Sequence, residues 1–251
     1  MSSDVVICIP ARYQSSRLPG KPLIEIAGKP LILWALESAE KLNAKQMLVA
    51  TDDNRIKELV EKAGYKVIMT NKNHQSGTDR LAEVANRMSW SDDTIVVNYQ
   101  GDEPLTPKDN INQLINALKN NAKASIATLY QPINNFKDLI NPNHVKLVTD
   151  SNGYALYFSR SAIPYSRNSF ENNILDENIT YKHHIGLYAY RAGFLKSFSN
   201  LQPSDLEKTE SLEQLRAMSH GHKIVAELAK EPMPHGIDTP EDIISFEQNL
   251  K

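Results

Sequence analysis

Three cations lie close together near the beginning of the chain, in a loop that also holds two serines and a glycine. Arg12, Arg17 and Lys21 fall within ten residues, and Gly20 beside them would let the backbone approach a ligand closely. Cationic side chains and exposed backbone N–H groups after a strand are features that bind phosphate groups. The loop matches neither the Walker A pattern nor the G-x-G-x-x-G fingerprint. Its two interpretations are therefore a polyphosphate site and an ordinary solvated basic turn.

Two aspartates have the chemistry of metal ligands. Asp102 lies in a loop after an apolar run, and Asp238 lies just before Thr-Pro-Glu-Asp near the carboxyl end. Both could hold Mg²⁺, a hard ion that prefers carboxylate and phosphate oxygens. The alternatives are that Asp102 pairs with a nearby arginine and that Asp238 caps a turn or helix. No Cys/His cluster with zinc spacing is present, so a transition-metal site is not expected.

Other polar residues carry weaker signals. His183 and His184 precede an alternating run, so one of them should face each side of a strand, and a hydrogen-bonded structural role is the usual one for such a histidine. Four further residues are predicted to share one helical stretch: Glu207, Glu210, Glu213 and Gln214. Residues three or four apart on a helix are neighbours on one face, and the usual interpretation of such a face is that it is solvated. No Ser-His-Asp or Cys-His nucleophile can be singled out.

The elements that must position these residues follow from periodicity. In the first half, strands are predicted at 5–9, 47–51, 66–69 and 94–99, and helices at 30–42, 54–63, 77–88 and 107–120. Pro10 is expected to end the first strand. Such alternation predicts right-handed βαβ crossovers and a mostly parallel sheet flanked by helices. Ligands of such sheets bind beyond the carboxyl ends of the strands, so we expect the polar loops there to converge.

The second half is less regular and predicts a smaller, more antiparallel lobe. Strands are predicted at 124–129, 145–149, 153–158, 184–190 and 223–227, with helices near Gly193 and at 209–218 and 239–249. The polar segment 168–179 is predicted to be a mobile loop. Because no repeat, low-complexity tract or linker is found, one α/β domain over 1–251 is expected.

Composition excludes several classes of protein. The 251 residues are 41% hydrophobic and 23% charged with a net charge of -2, which does not suggest a general nucleic-acid binder. Cys8 is the single cysteine, so no disulfide can form within the chain, and a buried thiol is expected. The first residues do not resemble a signal peptide, and no apolar run approaches the roughly 18 residues of a membrane span. A cytoplasmic protein without membrane contact is expected.

Several blocks of the sequence resemble those of the sugar-activating cytidylyltransferases, in family order and over nearly the whole length. The blocks lie at 9–23, 74–80, 98–104, 141–143, 155–160, 184–191, 212–216 and 236–242. Within this family the chain is most similar to the branch that activates 3-deoxy-manno-octulosonate (KDO). The main departure from the family pattern lies at 168–181, which leaves the geometry of that loop open.

The resemblance implies a fold, a reaction and partners. The fold would be that of the nucleotide-diphospho-sugar transferases, with a nucleotide-binding part at about 1–130, a sugar-binding and dimerisation lobe at 131–230 and a closing segment at 231–251. The reaction would join CTP and KDO to give CMP-KDO and pyrophosphate, with Mg²⁺ as cofactor, for lipopolysaccharide synthesis. A homodimer is implied. The other readings are a cytidylyltransferase for another acid sugar such as a sialic acid, a catalytically silent nucleotide-binding module, and a glycosyltransferase, which would often show an Asp-x-Asp motif that this chain lacks.

The resemblance also implies roles for individual residues. The implied nucleotide-binding residues are Pro10, Ala11, Arg12, Arg17, Lys21, Gln75, Ser76, Gly77, Arg80 and Asp102. The implied sugar-binding residues are Gln100, Arg160, Arg167, His184, Tyr188, Glu213 and Gln214. Asp102 and Asp238 are the implied Mg²⁺ ligands, and together with Arg17 and Lys21 they form the implied catalytic set.

Overall fold

The strands of the chain form one large sheet and a two-stranded ribbon in the computed structural model, which describes residues 4–14, 18–74 and 76–249. The strands are β1 (Val5–Ala11), β2 (Glu25–Ile26), β3 (Lys29–Pro30), β4 (Gln46–Thr51), β5 (Lys66–Met69), β6 (Ile95–Asn98), β7 (Ala124–Pro132), β8 (Lys146–Thr149), β9 (Ala155–Ser159), β10 (Lys182–Arg191) and β11 (Lys223–Leu228). The helices are α1 (Leu31–Glu40), α2 (Asn54–Lys62), α3 (Gly77–Arg87), α4 (Lys108–Asn120), α5 (Phe136–Ile140), α6 (Ala192–Phe198), α7 (Asp205–Glu210), α8 (Gln214–Ser219) and α9 (Pro240–Asn249).

The large sheet has a parallel half and a more antiparallel half. Its order is β11-β7-β10-β6-β1-β4-β5, with β8 and β9 attached beside β10. Strand β1 pairs in parallel with β4 and β6, and β4 pairs in parallel with β5. Strand β10 runs antiparallel to β6, β7 and β8. The predicted α/β fold with a more antiparallel lobe is confirmed, and the carboxyl ends of β1, β4 and β6 meet at one edge.

Alternate residues of β1 face opposite sides of the sheet and belong to two separate cores. Ile7 and Ile9 pack with α1, α2 and α4, whereas Cys8 packs with α3, α6 and α8. Each fully buried side chain of this kind contributes about 1.5–3 kcal/mol through the hydrophobic effect. Burial also raises the pKa of the Cys8 thiol, as expected for a structural cysteine. None of the helices in the described ranges has the length and apolar character needed to cross a bilayer.

The prediction that Pro10 ends the first strand is wrong. Strand β1 continues to Ala11, and Pro10 lies in register with Ala50 of β4. Strand β6 pairs with β1 only as far as Cys8, so the strand has a single neighbour at Pro10. The missing N–H of a proline is tolerated at such an edge. The extension brings Pro10 and Ala11 into the loop region at the carboxyl edge.

The prediction of one continuous helix at 209–218 is also wrong, because the helix is interrupted there. Helix α7 ends at Glu210, Ser211 adopts the left-handed conformation with φ 53°, and α8 begins at Gln214. Side-chain contacts explain the break, since the Glu210 carboxylate accepts hydrogen bonds from the Ser159 hydroxyl (2.6 Å) and the Arg160 N–H (2.9 Å). Glu210 and Glu213 therefore do not share a helical face.

The loop at 168–179 is packed against the protein. It contains a short 3₁₀ turn at Phe170–Asn172, and Phe170, Leu175 and Ile179 contact a small apolar cluster around Leu139 and Tyr181. The Phe170 ring also lies edge-on to Phe136, with centroids 5.2 Å apart. These contacts attach the segment to the apolar cluster, and its predicted mobility stays a prediction.

Candidate active site

A polar cavity of about 330 Å³ opens at the carboxyl edge of the parallel strands. It is lined by implied nucleotide-binding residues from the loops after β1, β5 and β6: Pro10, Ala11, Arg12, Lys21, Ser76, Gly77, Arg80 and Asp102. Asp238, from the segment before α9, completes the rim. These loops therefore converge on one cavity, as predicted. Arg17 and Gln75 were also predicted here, but both lie outside the described residues.

Lys21 joins the two candidate metal ligands. Its Nζ lies 2.5 Å from Asp102 Oδ2 and 2.9 Å from Asp238 Oδ1. Burial opposes the charge on Lys21, but the two carboxylates outweigh it and raise the pKa of the ammonium. Gly20 sets up this geometry, because its φ of 71° is left-handed and an added Cβ would lie 3.0 Å from the Tyr13 ring. The opening loop thus presents a charged lysine to the cavity.

The segment before α9 reaches the site through its backbone. The Ile237 N–H donates to the Asp102 carbonyl at 2.8 Å, which places Asp238 beside the β6 loop. The alternative in which Asp238 caps a turn or helix is not what the geometry favours. Asp242 accepts from the backbone N–H groups of Asp238 (3.0 Å) and Thr239 (2.8 Å), while the Asp238 carboxylate accepts from Lys21.

The donor set around Lys21 fits a hard divalent cation. The ammonium of Lys21 already occupies a position between two carboxylates, as a metal ion would. Burial and the charges of Asp102 and Asp238 raise the pKa of Glu103 to about 7, so a third carboxyl group is close by. Among the described residues no group of three or more His, Cys, Asp and Glu side chains is arranged to hold a metal. An ion held by Asp102 and Asp238 would therefore take its other ligands from water and substrate oxygens.

Arg80 is held in place by a buried ion pair. Its Nη2 lies 2.8 Å from Asp52 Oδ2, Nη1 donates to the Thr70 hydroxyl, and its side chain is only 3% exposed. This contact connects the loops after β4 and β5. Ser76 caps the neighbouring helix α3, because its Oγ accepts from the Asp79 N–H at 3.0 Å. Arg80 lines the cavity while stabilising the walls that form it.

A second, larger cavity of about 430 Å³ adjoins the first. It is lined by five of the implied sugar-binding residues: Gln100, His184, Tyr188, Glu213 and Gln214. Gly77, Gln100 and Glu213 line both cavities, so the two spaces share a wall. Burial raises the pKa of Glu213. The helix break at Ser211 is what turns Glu213 and Gln214 towards this space.

His184 is held neutral by its surroundings. Its Nε2 lies 2.9 Å from the Thr128 hydroxyl, which can in turn donate to the Leu187 carbonyl at 2.9 Å, so the imidazole N–H donates to Thr128. A β-bulge between Ile185 and Tyr188 creates this arrangement. Burial lowers the pKa of His184 to about 3. His184 therefore has the hydrogen-bonded structural role that the sequence favoured, and it also lines the larger cavity.

The depressed pKa predicts acid sensitivity. Below pH 6.5, the ordinary pKa of histidine, His184 is protonated in the unfolded chain. In the folded protein it stays neutral until about pH 3. The free energy of unfolding should therefore fall with decreasing pH across this window, by up to about 1.4 kcal/mol per pH unit for this group. His184→Gln should flatten the slope measured by urea unfolding at pH 6.5, 5.5 and 4.5. His220→Gln, at an exposed position, is the control, and equal slopes in all three proteins would contradict the prediction.

Arg160 and Arg167 do not line either cavity. The Arg160 guanidinium donates to the carbonyls of Glu210 (2.7 Å) and Pro142 (3.0 Å), and so joins two loops at the rim of the larger cavity. Arg167 is exposed. The Lys146 ammonium, buried beneath this rim, donates to the carbonyls of Asn141 (2.8 Å) and Arg160. Burial lowers the pKa of Lys146 to about 8.

Sequence reasoning missed several residues of the larger cavity. Asn98, Asn143 and Tyr190 line it, and Thr128 supports it from β7. The sequence did contain a signal for two of them. Asn98 is the polar residue that ends the apolar run of β6, and Asn143 lies in the family-like block at 141–143. None existed for Thr128, because its contact to His184 depends on the bulge in β10.

A parallel α/β sheet with a cationic, carboxylate-flanked cavity at its carboxyl edge and a second cavity beside it defines a class: nucleotide-binding α/β enzymes that act on a second substrate. The family model for cytidylyltransferases matches residues 6–224. The chain belongs to the cytidylyltransferase family, whose members are nucleotidyltransferases.

Individual relatives narrow the comparison. The chain is 53% identical to the 3-deoxy-manno-octulosonate cytidylyltransferase of Vibrio vulnificus, over 97% of this chain and 96% of the relative. It is 51% identical to the same enzyme of Pseudomonas fluorescens, over 97% and 96%. A solved structure of CMP:2-keto-3-deoxy-manno-octonic acid synthetase complexed with CTP superposes with a TM-score of 0.89 at 41% identity, covering 99% of this chain and 98% of that one. A 4-diphosphocytidyl-2C-methyl-D-erythritol synthase, at 12% identity and a TM-score of 0.66, shares the fold.

Proposed function

We propose that the protein transfers CMP from CTP to the anomeric 2-hydroxyl of KDO, giving CMP-KDO and pyrophosphate. The relatives over 50% identical carry the name of that activity, and a solved relative binds CTP. The observation that carries the proposal is the shared wall of Gly77, Gln100 and Glu213 between the two cavities. A nucleotide in the polar cavity and a sugar in the larger one would meet at that wall.

The residues present suit an in-line attack on the α-phosphorus. Lys21 and Arg12 would bind the triphosphate, and the cation on Lys21 would stabilise the charge that develops on the phosphoryl oxygens. Gln100 would orient the sugar where the two cavities join. The protein needs no nucleophile of its own, since the sugar hydroxyl attacks directly and pyrophosphate leaves. Holding both substrates across one wall makes the encounter effectively intramolecular.

We propose Mg²⁺ as the cofactor, held by Asp102 and Asp238. When bound, the ion would neutralise phosphate charge and polarise the reacting oxygens. The support is the pair of carboxylates that converge on Lys21 Nζ at 2.5 and 2.9 Å. In this arrangement Lys21 would release one or both carboxylates to the ion and turn towards the phosphates.

A pyrophosphate-release assay tests the proposed function. The protein is supplied with CTP and Mg²⁺, and then with KDO, N-acetylneuraminate or no sugar. We expect release that depends on KDO and is weak with N-acetylneuraminate. Faster release with N-acetylneuraminate would favour a cytidylyltransferase for sialic acid. Calorimetric CTP binding without release from any acid sugar would favour a silent nucleotide-binding module.

The role of Arg160 can be tested by a conservative substitution. Arg160→Lys should raise the KM for KDO by about 10-fold and change the KM for CTP by less than about twofold. The Arg160 guanidinium donates several fixed hydrogen bonds to backbone carbonyls of the loops at the sugar cavity, whereas a lysine ammonium is a single point charge. Steady-state kinetics with each substrate varied in turn measures this. Arg87→Lys, at an exposed position of α3, is the control. An equal rise in both KM values would show that Arg160 does not support the sugar cavity.

Three further expectations extend the proposal beyond the site. A homodimer is proposed through the lobe at 131–230, where Leu156, Tyr165 and Ile174 are large exposed hydrophobic side chains. Light scattering of the purified protein tests the dimer, and a monomeric mass at micromolar concentration would contradict it. A cytoplasmic location and a role in lipopolysaccharide synthesis are proposed from the family resemblance.

A further inference from the structure

The inner wall of the larger cavity holds a buried acceptor atom without a protein partner. Asn98 ends β6 and is 4% exposed, and within the described part of the chain its Oδ1 has no hydrogen-bond partner. The residue lines the cavity together with Thr78 and Tyr190. A buried amide oxygen left unpaired costs free energy, so native proteins supply it with a partner from the protein, from water or from a ligand.

The rest of the Asn98 amide is already positioned. Its Nδ2 lies near the first residue of α3, since a Cβ added at Gly77 would be 3.9 Å away, and Tyr190 lines the same cavity. The Tyr190 hydroxyl also lies 3.3 Å from Thr78 Oγ1. Strand pairing holds the backbone, because Asn98 is in register with Cys8 on one side and Tyr188 on the other. Oδ1 therefore belongs to a side chain that strand pairing holds in the cavity wall.

A second unpaired atom, of opposite character, belongs to another residue that lines the same cavity. Gln214, at the start of α8, is 8% exposed, and its Nε2 donor lacks a partner among the described residues. An acceptor and a donor that both line one cavity suit a polyhydroxylated ligand, because a hydroxyl can donate to one and accept from the other. Burial of the two side chains strengthens such bonds.

We infer that Asn98 is a specificity-determining residue whose Oδ1 accepts a hydrogen bond from a hydroxyl of the acceptor sugar, other than the hydroxyl that attacks phosphorus. The inference rests on the proposed function, since it assigns the larger cavity to the sugar. A site that is built to bind a hydroxyl discriminates strongly against an analogue without it, because the protein atom is then left unpaired. Asn98 would thereby help the enzyme choose among acid sugars.

The test combines a variant with altered sugars. Asn98→Leu keeps the approximate shape and removes the acceptor, so the KM for KDO should rise about 10-fold or more while the KM for CTP stays within about twofold. Wild type and variant are then compared on KDO analogues that each lack one hydroxyl. For one analogue the two proteins should have KM values within about twofold of each other, because the contact is already absent. Asn86→Leu, at an exposed position of α3, should leave both KM values unchanged.

The outcomes separate this inference from the proposed function. Loss of KDO-dependent turnover in the wild type would remove the proposed function itself. Normal wild-type turnover, with an Asn98→Leu penalty that is equal for every analogue or equal for CTP and KDO, would overturn only the role of Asn98. If the leucine variant does not unfold cooperatively, Asn98→Ala, which also removes the acceptor, carries the same comparison. Independently, a wild type that loses less than twofold in KM on every deoxy analogue would also overturn it.

Discussion

Asp102→Ala should lower turnover by about 100-fold or more at saturating CTP, KDO and Mg²⁺. The substitution removes one of the two carboxylates that converge on Lys21 and, in the proposed reaction, one of two protein ligands of the metal. Loss of a single electrostatic contact to the transition state typically costs this much in turnover. The effect should fall on turnover because the charge on the phosphoryl oxygens grows as the reaction proceeds. Initial rates of pyrophosphate release measure it.

Two controls make that result specific. Asp109→Ala removes an exposed carboxylate from the first turn of α4 and should leave turnover within about twofold. Asp102→Asn keeps the side-chain shape and should lose nearly as much activity as Asp102→Ala, because charge rather than size binds the metal. Thermal unfolding of all three variants confirms the fold. Near-normal turnover of Asp102→Ala at saturating Mg²⁺ would refute the assignment of Asp102.

Arg80→Met should lower the free energy of unfolding by about 3–5 kcal/mol, the usual cost of removing one partner from a buried ion pair. The Arg80 side chain is 3% exposed and Asp52 is 15% exposed, so the substitution leaves Asp52 with little solvent to replace the lost charge. The Thr70 hydroxyl loses a donor as well. Urea unfolding at pH 7 measures the change. The resemblance assigns Arg80 to nucleotide binding, and its contacts show that it also supports the cavity wall.

A more exposed ion pair at the start of α2 provides a matched control for the Arg80 substitution. Arg55 Nη2 lies 2.7 Å from Asp53 Oδ2, but the Arg55 side chain is 57% exposed. Arg55→Met should therefore lower the free energy of unfolding far less than Arg80→Met does, since water replaces the partner. The double variant Asp52→Asn/Arg80→Met should recover part of the stability lost by Arg80→Met alone. Equal, small losses at Arg55 and Arg80 would show that burial of the second pair contributes little.

The residues of the polar cavity could be predicted better than those of the larger one. Arg12 directly follows β1, Lys21 lies further along the same connection, and Gly77 ends the connection after β5. A correct strand prediction therefore already places them near the carboxyl edge. The spacing of Glu213 favours a solvated helical face, and only the family resemblance assigns it to the sugar, because no local pattern reveals that Ser211 adopts a left-handed conformation. That break depends on contacts between Glu210 and β9, which are distant in sequence.

The sequence by itself determined the alternation of strands and helices, the two-sided core and the cationic loop after β1. Hydrophobic periodicity and turn residues act over a few neighbours, so they can be read from one stretch at a time. Only the tertiary structure decided that Lys21 meets Asp102, 81 residues away, and Asp238, 217 residues away. The same is true of the unpaired Oδ1 of Asn98 and of the β-bulge that positions His184. These depend on how strands order themselves in the sheet and where the chain returns, and no local periodicity encodes that.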